Sequence, residues 1–251
     1  MRILNSEFRI LNCAVAVLLV WAPSAFAQGS GDGFLFKPPA GTIGIRSGFD
    51  RALAGSDVFT FVTDQLTVNK GDFSSATFAF DVDVRVKPRI DAVFSVGASS
   101  SSTRSEFRNW VDNNRLPIEQ TTEFRRVPLT AAIKAYVLPP GQTIGHFAWV
   151  PARFAPYVGA GGGAMWYQFV QSGDFISFDS LKVFSDRFDS NGWAPTVQAF
   201  GGVDVSFAKR FAMTTEARYE WARASLTRDF SGFNRIDLSG IAFTSGISVR
   251  Y

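Results

Sequence analysis

The stretch ATFAFDVDVRVK at positions 76–87 carries the pattern that decides the fold. Apolar and polar side chains alternate along it: Ala76, Phe78, Phe80, Val82, Val84 and Val86 occupy the even positions, and Thr77, Ala79, Asp81, Asp83, Arg85 and Lys87 the odd ones. Successive side chains of a β-strand point to opposite faces, so the pattern predicts a strand with one apolar and one charged face. A helix would scatter these residues around its axis.

The same alternation recurs along the chain. In FAMTTEARYEW at 211–221, Glu216, Arg218 and Glu220 oppose an apolar and aromatic face. The pattern predicts eight strands, near 42–51, 73–87, 90–104, 121–137, 153–170, 193–207, 211–225 and 236–251. We therefore expect an all-β protein, an eight-stranded antiparallel up-and-down β-barrel at 42–251.

The fifth strand is ambiguous because both of its faces are apolar. We expect four of its side chains to point outward: Tyr157, Met165, Tyr167 and Phe169.

The connections differ in length at the two ends of the predicted strands. Two are tight turns at 87–89 and 208–210, and a third is a moderate segment at 139–152. The others, near 52–72, 105–120, 171–192 and 226–235, are mostly longer and richer in Asp, Asn, Arg and Ser. Short periplasmic turns and long outer loops are typical of outer-membrane barrels.

Residues 1–27 have the layout of a secretory signal peptide. Its parts are two basic residues, an apolar run and a small-residue cleavage site: Arg2, Arg9, 10–22, Ala25, Ala27 and Gln28. The apolar run is shorter than the roughly 20 residues of a spanning helix. We expect cleavage before residue 28, a flexible lead-in at 28–41, and loss of the single cysteine, Cys13, with the leader.

Composition excludes two other classes of protein. The net charge is +3 and the basic residues are not concentrated in one segment, so nucleic-acid binding is not indicated. No apolar stretch near 18 residues follows residue 27, which argues against helical membrane spans.

Alternation alone does not say which face points inward, because a soluble lipocalin-like barrel would place its apolar face around a ligand. Two features favour a membrane. The alternating stretches reach the 9–11 residues or so of a membrane strand. Aromatic residues that would form interfacial girdles cluster near strand ends: Tyr136, Trp149, Trp166, Trp193, Tyr219, Trp221 and Tyr251.

Three features together resemble the broad family of outer-membrane β-barrel proteins. They are the eight-strand pattern, the segment PYVGAGGGA at 156–164 and the ending ISVRY at 247–251. Over about 40–251 the chain is similar to the transmembrane domain of outer membrane protein A and its small-porin relatives. The resemblance implies residence in outer-membrane lipid and recognition by the barrel assembly machinery. The terminal strand would carry that signal through Phe243, Ile247, Val249 and Tyr251.

The charged faces predict a polar lumen. Its expected members are Arg46, Asp50, Asp81, Asp83, Arg85, Lys87, Asp91, Arg126, Lys134, Asp204, Glu216, Arg218, Glu220 and Arg250. Eight strands enclose only enough space for side chains. Charges of both signs in so narrow a space are expected to pair as an internal plug, since an unpaired buried charge is costly. The alternative is a charge-lined gate or narrow pore.

Other motifs indicate no chemistry. GAGGGA at 159–164 matches a dinucleotide-binding pattern, but the strand pattern continues after it where that motif needs a helix. The single histidine, His146, falls on the predicted periplasmic side, away from the outer leaflet where lipid-modifying barrels work. The carboxylates of 171–192 do not have the spacing of a calcium-binding loop. We expect no enzyme activity, cofactor or metal.

We therefore expect a monomeric outer-membrane barrel with a plugged lumen and a structural or surface-interaction role. Loops 105–120 and 171–192 mix aromatic and charged residues, so any ligand or surface partner is expected there. The alternatives are a pore or conduit for ions or small apolar compounds, and a soluble ligand-binding barrel.

Overall fold

The computed structural model describes residues 34–112, 115–146, 148–177 and 182–251. These residues form eleven strands, one α-helix and two 3₁₀ turns. In chain order they are β1 (Gly41–Ala52), α1 (Asp57–Gln65), a 3₁₀ turn (Lys70–Phe73), β2 (Ser75–Lys87), β3 (Ile90–Val111), β4 (Pro117–Tyr136), β5 (Gly141–Ile144), β6 (Ala148–Pro151), β7 (Phe154–Ile176), β8 (Val183–Ser206), β9 (Phe211–Ala224), a 3₁₀ turn (Arg228–Phe230), β10 (Ile236–Asp237) and β11 (Gly240–Arg250).

Eight strands close into one antiparallel ring in the order β1, β2, β3, β4, β7, β8, β9 and β11. The ring closes because β11 pairs with β1, from Thr42 opposite Arg250 to Ala52 opposite Gly240. Such a ring leaves no unpaired strand edge along its wall. The predicted eight-stranded, antiparallel, up-and-down barrel is confirmed.

Two hairpins are taller than the sequence predicted. The predicted loops at 105–120 and 171–192 are largely strand, since β3 continues to Val111 and β7 stays in register with β8 up to Ile176 opposite Val183. The prediction failed because these extensions lose the alternation of apolar and charged faces on which it relied. We call the described part of 105–120 the β3–β4 hairpin and the described part of 171–192 the β7–β8 hairpin.

Two further elements were missed. The segment 52–72, predicted to be a plain connection, contains α1, and 139–152 contains the β5–β6 hairpin. Leu35 exchanges two backbone hydrogen bonds with Trp149 of β6, at 2.9 and 2.8 Å. The described part of the lead-in is therefore hydrogen-bonded to this hairpin. The sequence analysis expected a flexible lead-in and did not predict this pairing. The leader and residues 28–33 lie outside the described residues.

The outer face of the ring is apolar, as β4 shows. Its outward side chains between positions 127 and 137 are all apolar, and Leu129, Ile133 and Val137 are each more than half exposed. Ten residues span about 34 Å along a strand, or about 24 Å of height at the tilt of a membrane barrel. Arg125, the next outward residue, is exposed beside Glu123. The apolar belt thus matches in height the band of about 25 Å that transmembrane barrels present to lipid.

Candidate functional site

The middle of the lumen contains a cluster of ion pairs formed by side chains of four strands. Arg46 of β1 donates from Nε to Asp81 Oδ2 and from Nη1 to Glu216 Oε1, both at 2.7 Å. Arg218 of β9 donates from Nε to the same Glu216 oxygen at 2.9 Å. Ser95 of β3 donates to Asp81 at 2.5 Å. Each charge therefore meets at least one opposite charge directly.

A second cluster lies toward the turn end, around Lys134. Its Nζ is 3.1 Å from both Asp83 Oδ2 and Asp204 Oδ2, and lies 4.1 Å from the centre of the Tyr157 ring. Tyr136 donates its hydroxyl to Asp204 Oδ2 at 2.9 Å. The ammonium group is buried, and two carboxylates and an aromatic face compensate its lost hydration.

A third cluster lies toward the loop end. Arg126 donates from Nη2 to Asp50 Oδ2 at 2.6 Å and from Nη1 to the Leu238 carbonyl at 3.0 Å. Glu220 is buried in the wall of a cavity of about 30 Å³ that Arg126 and Arg218 also line.

The remaining predicted lumen residues lie near the turn end. Arg85 forms a close ion pair with the buried Asp91. Arg250 is buried, donates to Ser206 Oγ at 2.6 Å and lies over the Trp149 ring. Lys87 is exposed, so its predicted inward position was wrong. A β-bulge between Arg85 and Lys87 ends the alternation there.

The inward charges of the ring nearly balance. Seven carboxylates face six cations: Asp50, Asp81, Asp83, Asp91, Asp204, Glu216 and Glu220 with Arg46, Arg85, Arg126, Lys134, Arg218 and Arg250. The cavities between them measure about 20 and 30 Å³. A single water needs roughly 10–15 Å³ measured in this way, so each cavity has room for one or two waters.

Above the charged clusters, an apolar plug fills the loop end of the lumen. Phe59 of α1 is fully buried, and its ring centre lies 4.8, 5.3 and 5.6 Å from those of Phe73, Phe124 and Phe169. Phe230 packs against Phe169 at 5.4 Å. We call the cluster of Phe59, Phe73, Phe124, Phe169 and Phe230 the apolar plug. One signal for the plug was present in the sequence and was missed: the apolar inward face at the loop end of the fifth strand.

The expected orientation of the fifth strand was wrong. The four side chains predicted to point outward are 0–2% exposed and face the lumen: Tyr157, Met165, Tyr167 and Phe169. The outward face of β7 is instead formed by residues such as Phe154 and Val158, both 55% exposed. Met165, Tyr167 and Phe169 were misplaced because the prediction assumed a polar lumen along its whole height, whereas its loop end is apolar. Tyr157 lies among the charged clusters, where its hydroxyl donates to Glu216 Oε2.

The predicted aromatic girdle is correct for only part of its members. Trp193, Tyr219, Trp221 and Tyr251 are exposed on the outer face, and Trp166 is half-buried. Tyr136 and Trp149 are buried, the first because its hydroxyl binds Asp204 and the second because the lead-in pairs with it. Those two positions were wrongly placed in the girdle.

The glycines of GAGGGA lie within continuous strand, in register with β4 and β8. A Cβ atom on Gly159 would overlap the Phe200 ring. Small residues here make room for large inward side chains of the neighbouring strands.

The single histidine and the acidic residues complete the positions singled out in the sequence. His146 lies in the turn between β5 and β6. No group of three or more His, Cys, Asp or Glu suited to a metal occurs in the described ranges. In the same ranges, no helix has the length and apolar content to cross a membrane.

The residues of the expected assembly signal lie on the outer face, and those of the expected cleavage site are not described. The terminal residues Phe243, Ile247, Val249 and Tyr251 all point outward from β11 or its end, and their role as an assembly signal remains a prediction. The cleavage residues Ala25, Ala27 and Gln28 lie outside the described residues.

No protein-family model and no curated protein matches the sequence. Among solved structures, the chain is similar to Neisserial surface protein A, with 10% identity over 84% of this chain and 97% of that one, at a TM-score of 0.44. It is similar to the attachment invasion locus protein Ail of Yersinia pestis, with 13% identity over 84% and 99%, at 0.42. The N-terminal β-barrel domain of Pseudomonas aeruginosa OprF follows, with 11% identity over 85% and 100%, at 0.36.

The chain's own side chains define its architecture. A closed ring of eight strands carries an apolar belt outside and ion pairs inside. This is the reverse of a lipocalin-like barrel and the arrangement of an outer-membrane-type transmembrane β-barrel.

Proposed function

We propose that this protein is an integral outer-membrane barrel whose lumen is closed, with a structural or surface-interaction role and no catalytic activity. The observation that carries the proposal is the double closure of the lumen. Ion pairs fill its middle, and the apolar plug fills its loop end. A continuous water path would have to displace both.

Strong side-chain contacts hold the closed state. Glu216 accepts from Arg46 and Arg218, and its second oxygen accepts from the Tyr157 hydroxyl at 2.9 Å. Opening the lumen would leave such charges unpaired in a narrow, poorly hydrated space, which is unfavourable. This argues against the narrow-pore alternative, for which the two small lumen cavities also leave little room.

The hairpins provide the surface for interaction. On the β3–β4 hairpin, Arg104 pairs with Glu119 on the outer face, with side chains 72% and 41% exposed. On the β7–β8 hairpin, Phe175 packs edge-on against Phe188, with ring centres 4.7 Å apart. Both hairpins extend past the apolar belt, so they would stand in water on the cell exterior.

The orientation of the hairpins is the part of the proposal to test first. Cys13 is the single cysteine of the sequence and lies in the expected leader, so the exported chain offers a background free of thiols. Leu116, at the tip of the β3–β4 hairpin, and Lys209, in the tight turn between β8 and β9, are both exposed. They mark opposite ends of the barrel.

Intact Gram-negative cells expressing Leu116→Cys or Lys209→Cys would be treated with a membrane-impermeant maleimide. We expect labelling of Leu116→Cys on intact cells and of Lys209→Cys only after the outer membrane is breached. The chain without an added cysteine is the control. Labelling of Lys209→Cys on intact cells, with Leu116→Cys protected, would place the hairpins in the periplasm and rule out a surface role.

A further inference from the structure

A groove crosses the outer surface of the barrel where the apolar belt meets the loop end. Its volume is about 450 Å³, and it is lined by Pro195, Trp221, Arg223, Asn234 and Arg235. That volume is within the range of sites that hold small molecules. The groove lies outside the lumen and shares no lining residue with the three charged clusters.

The lower part of the groove is continuous with the apolar belt. Trp221 points outward from β9 and is 45% exposed, two positions after the equally outward Tyr219. Pro195 of β8 lines the same wall. Tryptophan at this height is typical of the boundary between acyl chains and headgroups. An acyl chain therefore has an apolar surface to pack against here.

The upper part of the groove presents two guanidinium groups. Arg223 follows Trp221 on the same face of β9, about 7 Å further along the strand and, at the tilt of a membrane barrel, about 5 Å further from the membrane centre. Its register partner, Asp237, already accepts hydrogen bonds from the N–H groups of Gly55 and Ser239, at 3.0 and 3.1 Å. Among the described residues, neither Arg223 nor Arg235 takes part in a salt bridge.

The segment that carries Arg235 is held in place on both sides. Asn234 donates to Asp57 Oδ2 from its backbone N at 2.9 Å and from Nδ2 at 2.8 Å. Ile236 pairs with Ala224 of β9 and is fully buried. The backbone that carries the second arginine is thus held in place before any ligand arrives, which lowers the entropic cost of binding.

We propose that this groove binds a phosphorylated lipid of the outer leaflet. Arg223 and Arg235 bind the headgroup phosphate, whose geometry suits the planar guanidinium fork. Trp221 and Pro195 contact an acyl chain. A lipid is favoured over a soluble anion because the charged part of the groove continues directly into apolar belt. The proposal depends on the proposed function only in assigning the loop end to the outer leaflet.

The test measures the affinity of the folded barrel for diphosphorylated lipid A, titrated calorimetrically in nonionic detergent micelles. The double variant Arg223→Ser/Arg235→Ser removes both guanidiniums. Arg51→Ser is the matched control, because Arg51 is an exposed arginine of β1 at the same end of the belt, outside the groove. Arg223→Lys/Arg235→Lys keeps the charge. Circular dichroism confirms that each variant is folded.

We expect the double serine variant to bind about 30-fold more weakly, since each basic residue near an anionic lipid surface contributes about fivefold. The control should stay within about twofold of the native protein, and the double lysine variant should bind more tightly than the double serine variant. Removing the phosphates from the lipid should have the same effect as removing the arginines.

Two results would overturn the proposal. The first is a folded double serine variant that binds the lipid as tightly as the native protein. The second is inorganic phosphate binding as tightly as the lipid, which would make the groove a site for a soluble anion. Affinity in micelles does not depend on which way the barrel faces in the cell. Failure here is therefore distinct from failure of the labelling experiment.

Discussion

At the residue scale, the lumen is organised around shared carboxylates. Glu216 is 5% exposed and accepts hydrogen bonds from two arginines and a tyrosine. The two-residue period of the sequence predicted which charges face inward, as for Asp81 and Arg218. It carried no information on which of them meet, because pairing depends on strand register around the ring.

Replacing Glu216 with glutamine tests the strength of this cluster. The change leaves Arg46 and Arg218 without their shared anion, and we expect a loss of about 3–5 kcal/mol in the free energy of unfolding. The matched control is Glu119→Gln, which removes the partner of Arg104 in an exposed pair and should cost no more than about 1 kcal/mol. Urea unfolding in detergent or lipid measures both. Equal losses in the two variants would contradict a cluster held by buried charge.

At the scale of the element, α1 is the feature that the sequence analysis did not predict. It has nine residues, its N-cap Ser56 makes no capping side-chain hydrogen bond, and isolated helices of this length are marginal in water. Its stability comes from burying Val58, Phe59 and Val62 in the loop end of the barrel. Those are tertiary contacts, which local pattern does not reveal. The apolar inward face of β7 is the matching half of the same plug.

The N-terminus of α1 also makes the loop end sensitive to acid. The pKa of Asp57 is lowered from its ordinary value, chiefly by the backbone N–H of Asn234 donating to it. A carboxyl with a lowered folded-state pKa adds stability above its unfolded value, near 3.8, and loses that contribution as the pH falls through the folded value.

We therefore expect the Asn234 amide to be protected from hydrogen exchange at pH 6 and to lose protection progressively as the pH falls below 3.8 toward the lowered pKa of Asp57. Asp57→Asn should lower protection at pH 6 and remove most of the pH dependence, because a neutral amide oxygen is a weaker acceptor. The rates need correction for the intrinsic pH dependence of exchange. Unchanged protection in native protein at pH 2.5 would refute the role of Asp57.

At the scale of the whole molecule, one closed sheet separates an apolar outer surface from a lumen that contains ion pairs. The strands that alternate cleanly, such as β2, β9 and β11, were predicted with the correct faces because charge lies on one side and lipid-facing apolar residues on the other. Prediction failed where a strand has similar residues on both faces, in β7 and in the hairpins beyond the belt. In these segments the neighbouring elements determine which face is buried, and the strand's own pattern does not indicate it.

The central claim is that this barrel is closed, and single-channel recording of residues 28–251 in planar bilayers tests it most directly. As a control for insertion, a variant would replace 54–73 by a Gly/Ser linker, removing α1, and change Glu216, Arg218 and Glu220 to serine. We expect the native protein to give a flat current at all applied voltages and the variant to conduct. Discrete current steps from the native protein would show an open path and contradict the closed lumen.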